Sequence, residues 1–284
     1  MTSLQEILGI NERNLKLIYE HNSLRYYPLA DDKLLTKKIL QEADISTPKL
    51  LHSYQYFYEL NRIKDDLWNR ADFVVKPSHG LQGGGIVVFD QFSCGHWLTT
   101  SGTPYSAEAL FEHAADIMHG VYSLDSTNDA VMIEEKIKLD EFFRKITYKG
   151  VPDIRVIVFQ HRHVMAMLRI PTRHSEGRAN LHAGGIGVGI DLKSGVTTGA
   201  KIKQRPIATH PDTGVRLLGL RIPHWSCILD IAQRVQKYVP LGYLGIDFVL
   251  DERYGPQILE LNVRPGLEIQ NINNKGLKAF LNSE

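Results

Sequence analysis

The sequence has little cysteine, no excess of charge of one sign and no long apolar run. Its 284 residues contain only two cysteines, Cys94 and Cys227, which form no CxxC pair, so neither a zinc ribbon nor a disulfide-bonded secreted domain is indicated. Its 33 Lys and Arg residues balance 32 Asp and Glu residues for a net charge of +1, which excludes a chain held on nucleic acid or an anionic membrane by its overall field. No stretch approaches the roughly 20 apolar residues of a membrane span, and the polar N-terminus is unlike a signal peptide. We therefore expect a cytoplasmic protein with no nucleic-acid or membrane partner.

Helical and extended segments alternate along the chain without an internal repeat. Apolar residues three or four apart predict helices over 32–40, 106–119 and 224–239. We expect Cys227 and Trp225 to be core residues of the last of these helices. Short β-branched runs predict strands over 72–76, 85–89, 131–135, 154–159, 164–170, 244–250 and 257–262. Helices among mostly antiparallel strands predict an α+β fold, which we divide into a helical segment (1–30), a first lobe (31–130) and a second lobe (131–284).

A lysine followed by glycines is the first candidate functional motif. In FVVKPSHGLQGGGIVV, Lys76 lies at the end of a predicted strand, and Gly80, Gly83, Gly84 and Gly85 follow it. Glycines let successive backbone N–H groups turn toward phosphate oxygens, while the lysine supplies a positive charge. The spacing matches neither a Walker A loop nor a GxGxxG motif. The pattern indicates a polyphosphate site, although it also fits a β-hairpin with a glycine turn and a lysine that extends into solvent.

Oxygen-bearing side chains near the C-terminus form the second candidate motif. Glu260 and Asn262 are two apart on a predicted strand, so both side chains lie on the same face. If the strand that carries Asp247 pairs beside them, three oxygen donors converge. Two carboxylates and a carboxamide suit Mg²⁺ better than zinc or iron. We predict a magnesium site here; the alternative is an exposed sheet face with ordinary polar residues.

Taken together, seven motifs in order resemble the ATP-grasp superfamily over about residues 30–270, and most of all its alpha-L-glutamate ligase-like branch. They are Asp32-Lys33, FVVKP with its glycine loop, VMIEEKI, PDIRV, RANLHAGG, GIDF and ELNVRPGLE. The resemblance implies an ATP-grasp fold in which ATP and Mg²⁺, or Mn²⁺, bind between two α+β lobes. It also implies that a carboxylate attacks the γ-phosphate and that an amine captures the resulting acylphosphate as an amide.

The resemblance also assigns roles to individual residues. It implies that ATP contacts Lys33, Lys76, Gly83, Gly84, Gly85, Glu135, Lys136, Ile137, Asp153, Arg178 and Asn180. Among these, Lys76 and Arg178 are also expected to act on the phosphates in catalysis, and Glu135 to Ile137 to hold the adenine. It implies that Asp247, Glu260 and Asn262 bind the metal, in agreement with the spacing argument. For substrate contacts we expect Arg155, His182 and Arg264, although Arg155 is as well suited to pair with a carboxylate.

Two features depart from the glutamate-ligase pattern. Arg264 stands where those ligases tend to have a small residue, and a guanidinium there would stabilise the transferred phosphoryl group or clamp the acid substrate, so we also count it as catalytic. Its alternative role is a salt bridge within the lobe. Only about thirty residues precede Asp32-Lys33, so the N-terminal domain of the family is expected to be largely absent. We therefore expect either that the acceptor binds differently, or that a partner subunit (of a homo-oligomer or of a partner protein) or a protein substrate completes the cleft.

The function predicted from the sequence is an ATP- and Mg²⁺-dependent ligase. It would join a carboxylic acid, such as glutamate or another amino acid, to an amine of an amino acid, peptide or protein terminus. A phosphotransferase on the same scaffold is the first alternative, because it shares the ATP and metal residues. A non-catalytic ATP-binding subunit is the second, although all three metal ligands are present.

Overall fold

The computed structural model describes residues 6–80, 83–123 and 127–278. Its strands are β1 (Leu50–Tyr54), β2 (Phe73–Pro77), β3 (Val87–Ser93), β4 (His96–Thr99), β5 (Pro104–Tyr105), β6 (Val131–Glu135), β7 (Asp153–Phe159), β8 (Arg162–Ile170), β9 (Ile186–Ile190), β10 (Thr197–Ile202), β11 (Arg205–Ile207), β12 (Tyr243–Asp251) and β13 (Gly255–Asn262). Its α-helices are α1 (Ile10–Arg13), α2 (Pro28–Asp31), α3 (Lys33–Glu42), α4 (Ile63–Leu67), α5 (Ala107–Met118), α6 (Glu141–Ile146), α7 (Trp225–Tyr238) and α8 (Glu268–Asn273). A π-helix covers Asn14–Tyr19, and 3₁₀ helices cover Leu24–Tyr26 and Phe57–Arg62.

Contacts divide the described chain into two units. The small unit comprises residues 32–34 and 48–137, and the large unit comprises the described residues up to 31, 35–47 and those from 138 onward. These units differ from the lobes expected from the sequence, because β6 pairs with β1 and β2 and therefore belongs to the small unit. No helix of the described ranges is long and apolar enough to cross a membrane.

The small unit is built on an antiparallel sheet with strand order β1-β6-β2-β3-β4-β5. Its β2 and β6 pair along their whole length, from Phe73 opposite Glu135 to Pro77 opposite Val131. The aromatic rings of Phe73 and Phe89 stack across β2 and β3, with centroids 4.8 Å apart. Helix α5 begins after Ser106, whose hydroxyl accepts a hydrogen bond from the N–H of Ala109, and its buried side chains complete the core.

The large unit contains a second antiparallel sheet, with strand order β11-β10-β9-β8-β7-β12-β13. Every residue of β7 and β12 is buried, so these strands form the centre of the sheet. Arg155 lies opposite both Met167 on β8 and Asp247 on β12. Residues opposite one another in an antiparallel ladder share a face, so the register fixes which charged side chains meet.

Helix α8 packs over β8, β9 and β10 on this same sheet face. Ile269 and Ile272 of α8 join a buried cluster with Ile157 and Met167. A Cβ atom on Gly187 of β9 would lie 2.6 Å from Ile272. Glycine at this position therefore permits the close approach of the helix to the sheet.

The segments predicted from the sequence are present, and the β-branched runs became strands within a few residues of their expected limits. The prediction that Cys227 is a core residue is wrong, because its side chain is exposed. The buried side of α7 carries Trp225, Ile228 and Ala232, and Cys227 is rotated about 200° from Trp225 around the helix axis at 3.6 residues per turn.

Candidate functional site

Lys76 forms an ion pair inside the small unit. Its Nζ lies 2.7 Å from Oε2 of Glu134, and the side chains are 11% and 5% exposed. Val74 lies opposite Glu134 in the ladder between β2 and β6, so Lys76, two residues on, is its diagonal neighbour on the same face. The lysine ammonium is therefore held at a fixed position at the end of β2.

The segment after Lys76 is fixed by a histidine and a buried aspartate. Nδ1 of His79 lies 2.9 Å from Asp129, and the His79 backbone N–H donates to both oxygens of the same carboxylate. The hydrogen bond to Asp129 raises the pKa of His79 in spite of partial burial. The Ser78 hydroxyl donates to Asp32 at 2.7 Å, so the first residues of the loop are anchored on both sides.

Lys33 and the glycines contribute to the same loop. The Lys33 ammonium donates to the carbonyl oxygens of Ser78 and Gly80, at 3.2 and 3.0 Å. Gly83 and Gly85 have φ angles of 80° and 72°, the left-handed region that glycine adopts without strain. A Cβ atom on Gly85 would also lie 2.7 Å from the Tyr122 ring. Gly84 lies between them, and Leu81 and Gln82 are outside the described residues.

The three residues expected to hold the adenine lie at the end of β6. The N–H of Glu135 donates to the carbonyl of Lys49, and the N–H of Lys136 donates to the carbonyl of Asp72, both at 2.9 Å. The Lys136 ammonium pairs with Asp90. Ile137 follows as a half-buried residue.

In the large unit, the carboxylate of Asp247 is the centre of a buried cluster of charged side chains. Arg155 binds it with two N–H groups, Nε to Oδ1 at 2.7 Å and Nη2 to Oδ2 at 2.6 Å. Arg169 donates to Oδ2 at 2.8 Å, and the Asn262 amide donates at 3.0 Å. Burial acts to raise the pKa of Asp247, but Arg155 and Arg169 outweigh it and hold its pKa below the ordinary value.

A second carboxylate, Asp153, completes this cluster. It accepts a hydrogen bond from Nε of Arg169 at 2.5 Å and is 6% exposed. Burial raises its pKa to about 7, against the opposing charge of Arg169. Asp153 and Arg169 lie opposite each other in the ladder of β7 and β8. Two aspartates and two arginines are thus joined across three neighbouring strands.

The expected metal ligands lie on this same face. Asp247 is opposite Glu260 and Gly245 is opposite Asn262 in the ladder of β12 and β13, as the sequence argument required. Asn262 donates to Asp247 through Nδ2, which leaves its Oδ1 as an acceptor, and Oδ1 of Asp247 receives a single N–H. Within the described chain, His, Cys, Asp and Glu residues form no group of three that could hold a metal. A cation here would depend on the Asn262 amide oxygen together with Asp247 and Glu260, a donor set that fits Mg²⁺.

The remaining expected residues lie outside the cluster. Arg178 is exposed and pairs with Glu176 at 2.6 Å. The side-chain oxygen of Asn180 accepts the backbone N–H of His182 at 2.9 Å. The exposed guanidinium of Arg264 lies 5.9 Å from the ring centroid of Tyr27.

Sequence reasoning missed Arg169, Glu134 and Asp129. Arg169 was detectable, because pairing the predicted strands of residues 154–159 and 164–170 with the right offset sets it opposite Asp153. Glu134 was detectable as the residue before the expected adenine segment, with its side chain on the lysine face of the sheet. For Asp129 the sequence offered no signal, since its contact with His79 spans 50 residues.

Comparison with known protein families identifies the fold. The chain belongs to the sugar-transfer associated ATP-grasp family, whose model matches residues 12–283. The resemblance to the ATP-grasp superfamily and the expected α+β ATP-grasp fold are thereby confirmed.

Curated relatives fall in the branch expected from the motifs. The chain is 25% identical over 253 residues to a probable alpha-L-glutamate ligase of Saccharophagus degradans, which covers 88% of this chain and 61% of the relative. It is 26% identical over 239 residues to a probable alpha-L-glutamate ligase of Maridesulfovibrio salexigens, which covers 84% of this chain and 56% of the relative. The chain therefore spans about three fifths of the length of these relatives.

Solved structures share the fold at low sequence identity. D-alanyl-alanine synthetase A from Vibrio cholerae matches with a TM-score of 0.54 and 12% identity, over 90% of this chain and 63% of that one. D-alanine–D-alanine ligase from Bacillus anthracis, complexed with ATP, matches with a TM-score of 0.51 and 14% identity, over 90% and 65%. These likenesses concern the fold alone.

Proposed function

We propose that this protein is an ATP- and Mg²⁺-dependent ligase that activates a carboxylic acid as an acylphosphate and transfers the acyl group to an amine. The observation that carries the proposal is the buried cluster of Asp247, Arg155 and Arg169 beside Glu260 and Asn262. Membership of the ATP-grasp family and the names of the relatives, probable alpha-L-glutamate ligases, support the same reaction.

In this proposal the nucleotide is bound by the residues that the family resemblance assigns to it. Lys76 and the N–H groups of Gly83 to Gly85 would neutralise and orient the phosphates. The adenine would be contacted by the backbone of Glu135, Lys136 and Ile137. Lys33 stabilises the loop by donating hydrogen bonds to the carbonyl oxygens of Ser78 and Gly80. In the large unit, Asp153, Arg178 and Asn180 would complete the nucleotide contacts.

Asp247, Glu260 and Asn262 would hold Mg²⁺, which supplies charge neutralisation and alignment of the phosphates. Arg155 and Arg169 orient the Asp247 carboxylate through three N–H groups. A preorganised array of this kind stabilises charge that develops during phosphoryl transfer without reorganising at that moment. The exposed guanidinium of Arg264 is available to pair with the acid substrate or the transferred group.

The chemistry requires no protein nucleophile. A carboxylate oxygen of the acid forms a bond to the γ-phosphorus as the bond to the ADP oxygen breaks. The amine then attacks the acyl carbon, the carbon–oxygen bond breaks and phosphate leaves, while the amine gives up a proton. The protein contributes position and electrostatic stabilisation to both steps.

Trapping with hydroxylamine tests this proposal. We expect ADP and a hydroxamate from Mg·ATP with one member of a panel of amino acids, dicarboxylates and uronic acids, and loss of both products in Asp247→Asn. A stable phosphorylated product without hydroxamate would establish a phosphotransferase instead. ATP binding without ADP from any acid would contradict catalysis by this chain alone.

A further inference from the structure

Helix α5 of the small unit carries a histidine that contacts the last of the glycines after Lys76. Nε2 of His113 lies 2.9 Å from the carbonyl oxygen of Gly85. A carbonyl oxygen can only accept a hydrogen bond, so Nε2 carries the proton and donates. Burial lowers the pKa of His113 below its ordinary value, so the imidazole is neutral near pH 7. One side-chain hydrogen bond thus joins the helix to the glycine segment.

Aromatic rings pack around this contact. The ring of Tyr122 lies against Gly85, where a Cβ atom would approach it to 2.7 Å, and the φ of Gly85 is 72°. The centroid of the same ring is 5.7 Å from that of His113, and Tyr105 makes an edge contact with His113 at 6.4 Å. The two tyrosines therefore restrict the imidazole to an orientation from which it reaches Gly85.

Helix α5 is itself fixed in the core of the small unit. Three of its side chains are fully buried there, namely Leu110, Ala114 and Ile117. The same core contains Val75, the residue before Lys76. Val75 pairs with Val87 in the ladder of β2 and β3, and Val87 follows Gly85 by two residues. The core that fixes the strand end at Lys76 therefore also fixes the helix that binds Gly85.

The hydrogen bond restricts the part of the chain that has the greatest conformational freedom. Glycine has no side chain to limit its backbone dihedrals, so its peptide groups take a fixed orientation only where other residues impose one. Because the peptide group is planar, fixing the carbonyl of Gly85 fixes the plane of its peptide bond to Ile86. The contact of Tyr122 limits the other side of the same glycine.

Packing alone does not explain a histidine at this position. A phenylalanine ring would fill the space beside the two tyrosines without the cost of desolvating a polar imidazole. That cost is evident in the lowered pKa of His113. The hydrogen bond to Gly85 offsets it, and only a side chain with an N–H or O–H donor can make that bond.

We propose that His113 is a positioning residue for the nucleotide, which by donating to Gly85 holds the N–H groups of the glycine segment in the orientation that binds the phosphates of ATP. The proposal rests on the ligase function proposed above, in which Gly83 to Gly85 contact the phosphates. His113 acts through Gly85 and not by touching ATP. Its contribution to ATP affinity should be that of one neutral hydrogen bond, about 5-fold.

Two substitutions separate the hydrogen bond from ring packing. His113→Phe keeps an aromatic ring beside Tyr105 and Tyr122 and removes the donor. His113→Gln removes the ring and keeps an N–H donor at about the position of Nε2. His119→Phe is the matched control, because it changes an exposed histidine that follows α5 and stacks on Phe57.

Isothermal titration calorimetry measures the affinity of each protein for a non-hydrolysable ATP analogue with Mg²⁺, and competition against that analogue measures the affinity for adenosine, which has no phosphate. We expect His113→Phe to bind the analogue about 5-fold more weakly than the wild type and to bind adenosine equally well. His113→Gln and His119→Phe should bind both ligands as the wild type does. A defect confined to the phosphate-bearing ligand is one that general destabilisation of the unit would not produce.

Three results would overturn the assignment. The first is an unchanged affinity of His113→Phe for the analogue. The second is a loss in His113→Gln as large as that in His113→Phe, which would assign the effect to ring packing. The third is an equal loss of adenosine and analogue.

These outcomes are distinct from those of the hydroxylamine assay. Selective loss of the analogue in His113→Phe would support the assignment even if no acid gave ADP and hydroxamate, and only the ligase function would then be refuted. Hydroxamate formation together with normal binding by His113→Phe would refute only the role of His113. If the wild type did not bind the analogue, both proposals would be refuted.

Discussion

The charged site of the small unit and that of the large unit are held in different ways. Lys76 pairs with Glu134 at the end of one strand, and the loop that follows is anchored through His79 and the main chain. Asp247, in contrast, accepts four hydrogen bonds from three side chains on β7, β8 and β13. The charged side chains of the large unit are held in fixed positions on the central strands of its sheet. In the small unit, side-chain hydrogen bonds hold the first residues of the glycine-rich segment, at Ser78 and His79.

This difference matches the chemistry proposed for each part. A metal and a transferred phosphoryl group require fixed charges, which central strands supply because each side chain is set by register. Phosphate oxygens of a nucleotide can be met by backbone N–H groups, which require conformational freedom at glycine. Substitutions at the charged site of the large unit should therefore mainly lower the stability of the fold. Substitutions at the site of the small unit should mainly weaken nucleotide binding.

The largest effect on stability is expected for Arg155→Met. It leaves the buried Asp247 carboxylate with fewer charge-assisted hydrogen bonds, and breaking a buried ion pair costs about 3–5 kcal/mol. Urea denaturation of the variant and of Arg205→Met, which changes an exposed arginine of β11, measures the difference. If Arg155→Met lowers the free energy of unfolding no more than Arg205→Met does, the inference that Arg155 holds the buried Asp247 carboxylate is wrong.

Lys76→Met should have a smaller effect on stability, near the lower end of the same range of about 3–5 kcal/mol, because its pair lies at the end of a strand. The double variant Lys76→Met with Glu134→Gln should recover most of that stability, since it no longer buries a carboxylate that has lost its ion pair with lysine. ATP affinity, measured by calorimetry, should stay low in both proteins. Recovery of ATP binding in the double variant would contradict a phosphate contact by Lys76.

Asp153→Asn should change how stability depends on pH. The pKa of Asp153 is raised to about 7 by burial, so between about pH 4 and pH 7 the folded state binds more protons at this group than the unfolded state does. The contribution of Asp153 to stability is therefore lost as pH rises through this window. Relative to Asp153→Asn, the wild type should lose up to a few kcal/mol between pH 4 and pH 7.5. Urea denaturation of both proteins measures this difference in the free energy of unfolding. A difference that stays the same at all pH values would show that Asp153 does not titrate in this window.

The smallest effect is expected for His79→Gln. Pairing with Asp129 raises the pKa of His79, so the stabilisation is present below its ordinary value near 6.5 and is lost as pH rises through the higher value of the folded state. Because the His79 side chain is 46% exposed, solvent screening limits the effect to about 1 kcal/mol or less. Thermal melting of wild type and variant at pH 5.5 and pH 8.5 should differ only at the lower pH. An equal difference at both pH values would assign His79 a role in packing instead.

The sequence anticipated those parts of the fold that depend on local pattern. Runs such as Val131–Glu135 and Tyr243–Asp251 contain β-branched or aromatic residues, which favour strands. The spacing of Glu260 and Asn262 indicated that they share a face, and the ladder with β12 places Asp247 on that face. Strand β9 was missed because its sequence, IGVGI, alternates with glycine, which has low strand propensity. Its glycines serve the approach of α8, a requirement that appears only once the helix and the sheet are packed.

Long-range pairing accounts for what sequence reasoning did not find in the candidate site. The contacts of Arg169 with Asp247 and of His79 with Asp129 join residues 78 and 50 positions apart. Neither pair has a local motif, so only strand order and register bring them together. The error at Cys227 has a simpler cause, since an apolar residue type was counted on the buried side of α7 without regard to its angle around the helix.

The most direct test of the proposed acylphosphate follows the oxygen of the acid. The acid identified by the hydroxylamine assay is labelled with ¹⁸O in its carboxylate and is incubated with Mg·ATP and an amine, and the released phosphate is analysed by mass spectrometry. Because the carboxylate oxygen that attacks the γ-phosphorus leaves with phosphate, the account predicts one ¹⁸O atom in each phosphate formed. Phosphate without ¹⁸O, formed together with the amide or with ADP alone, would contradict activation of the carboxylate by ATP.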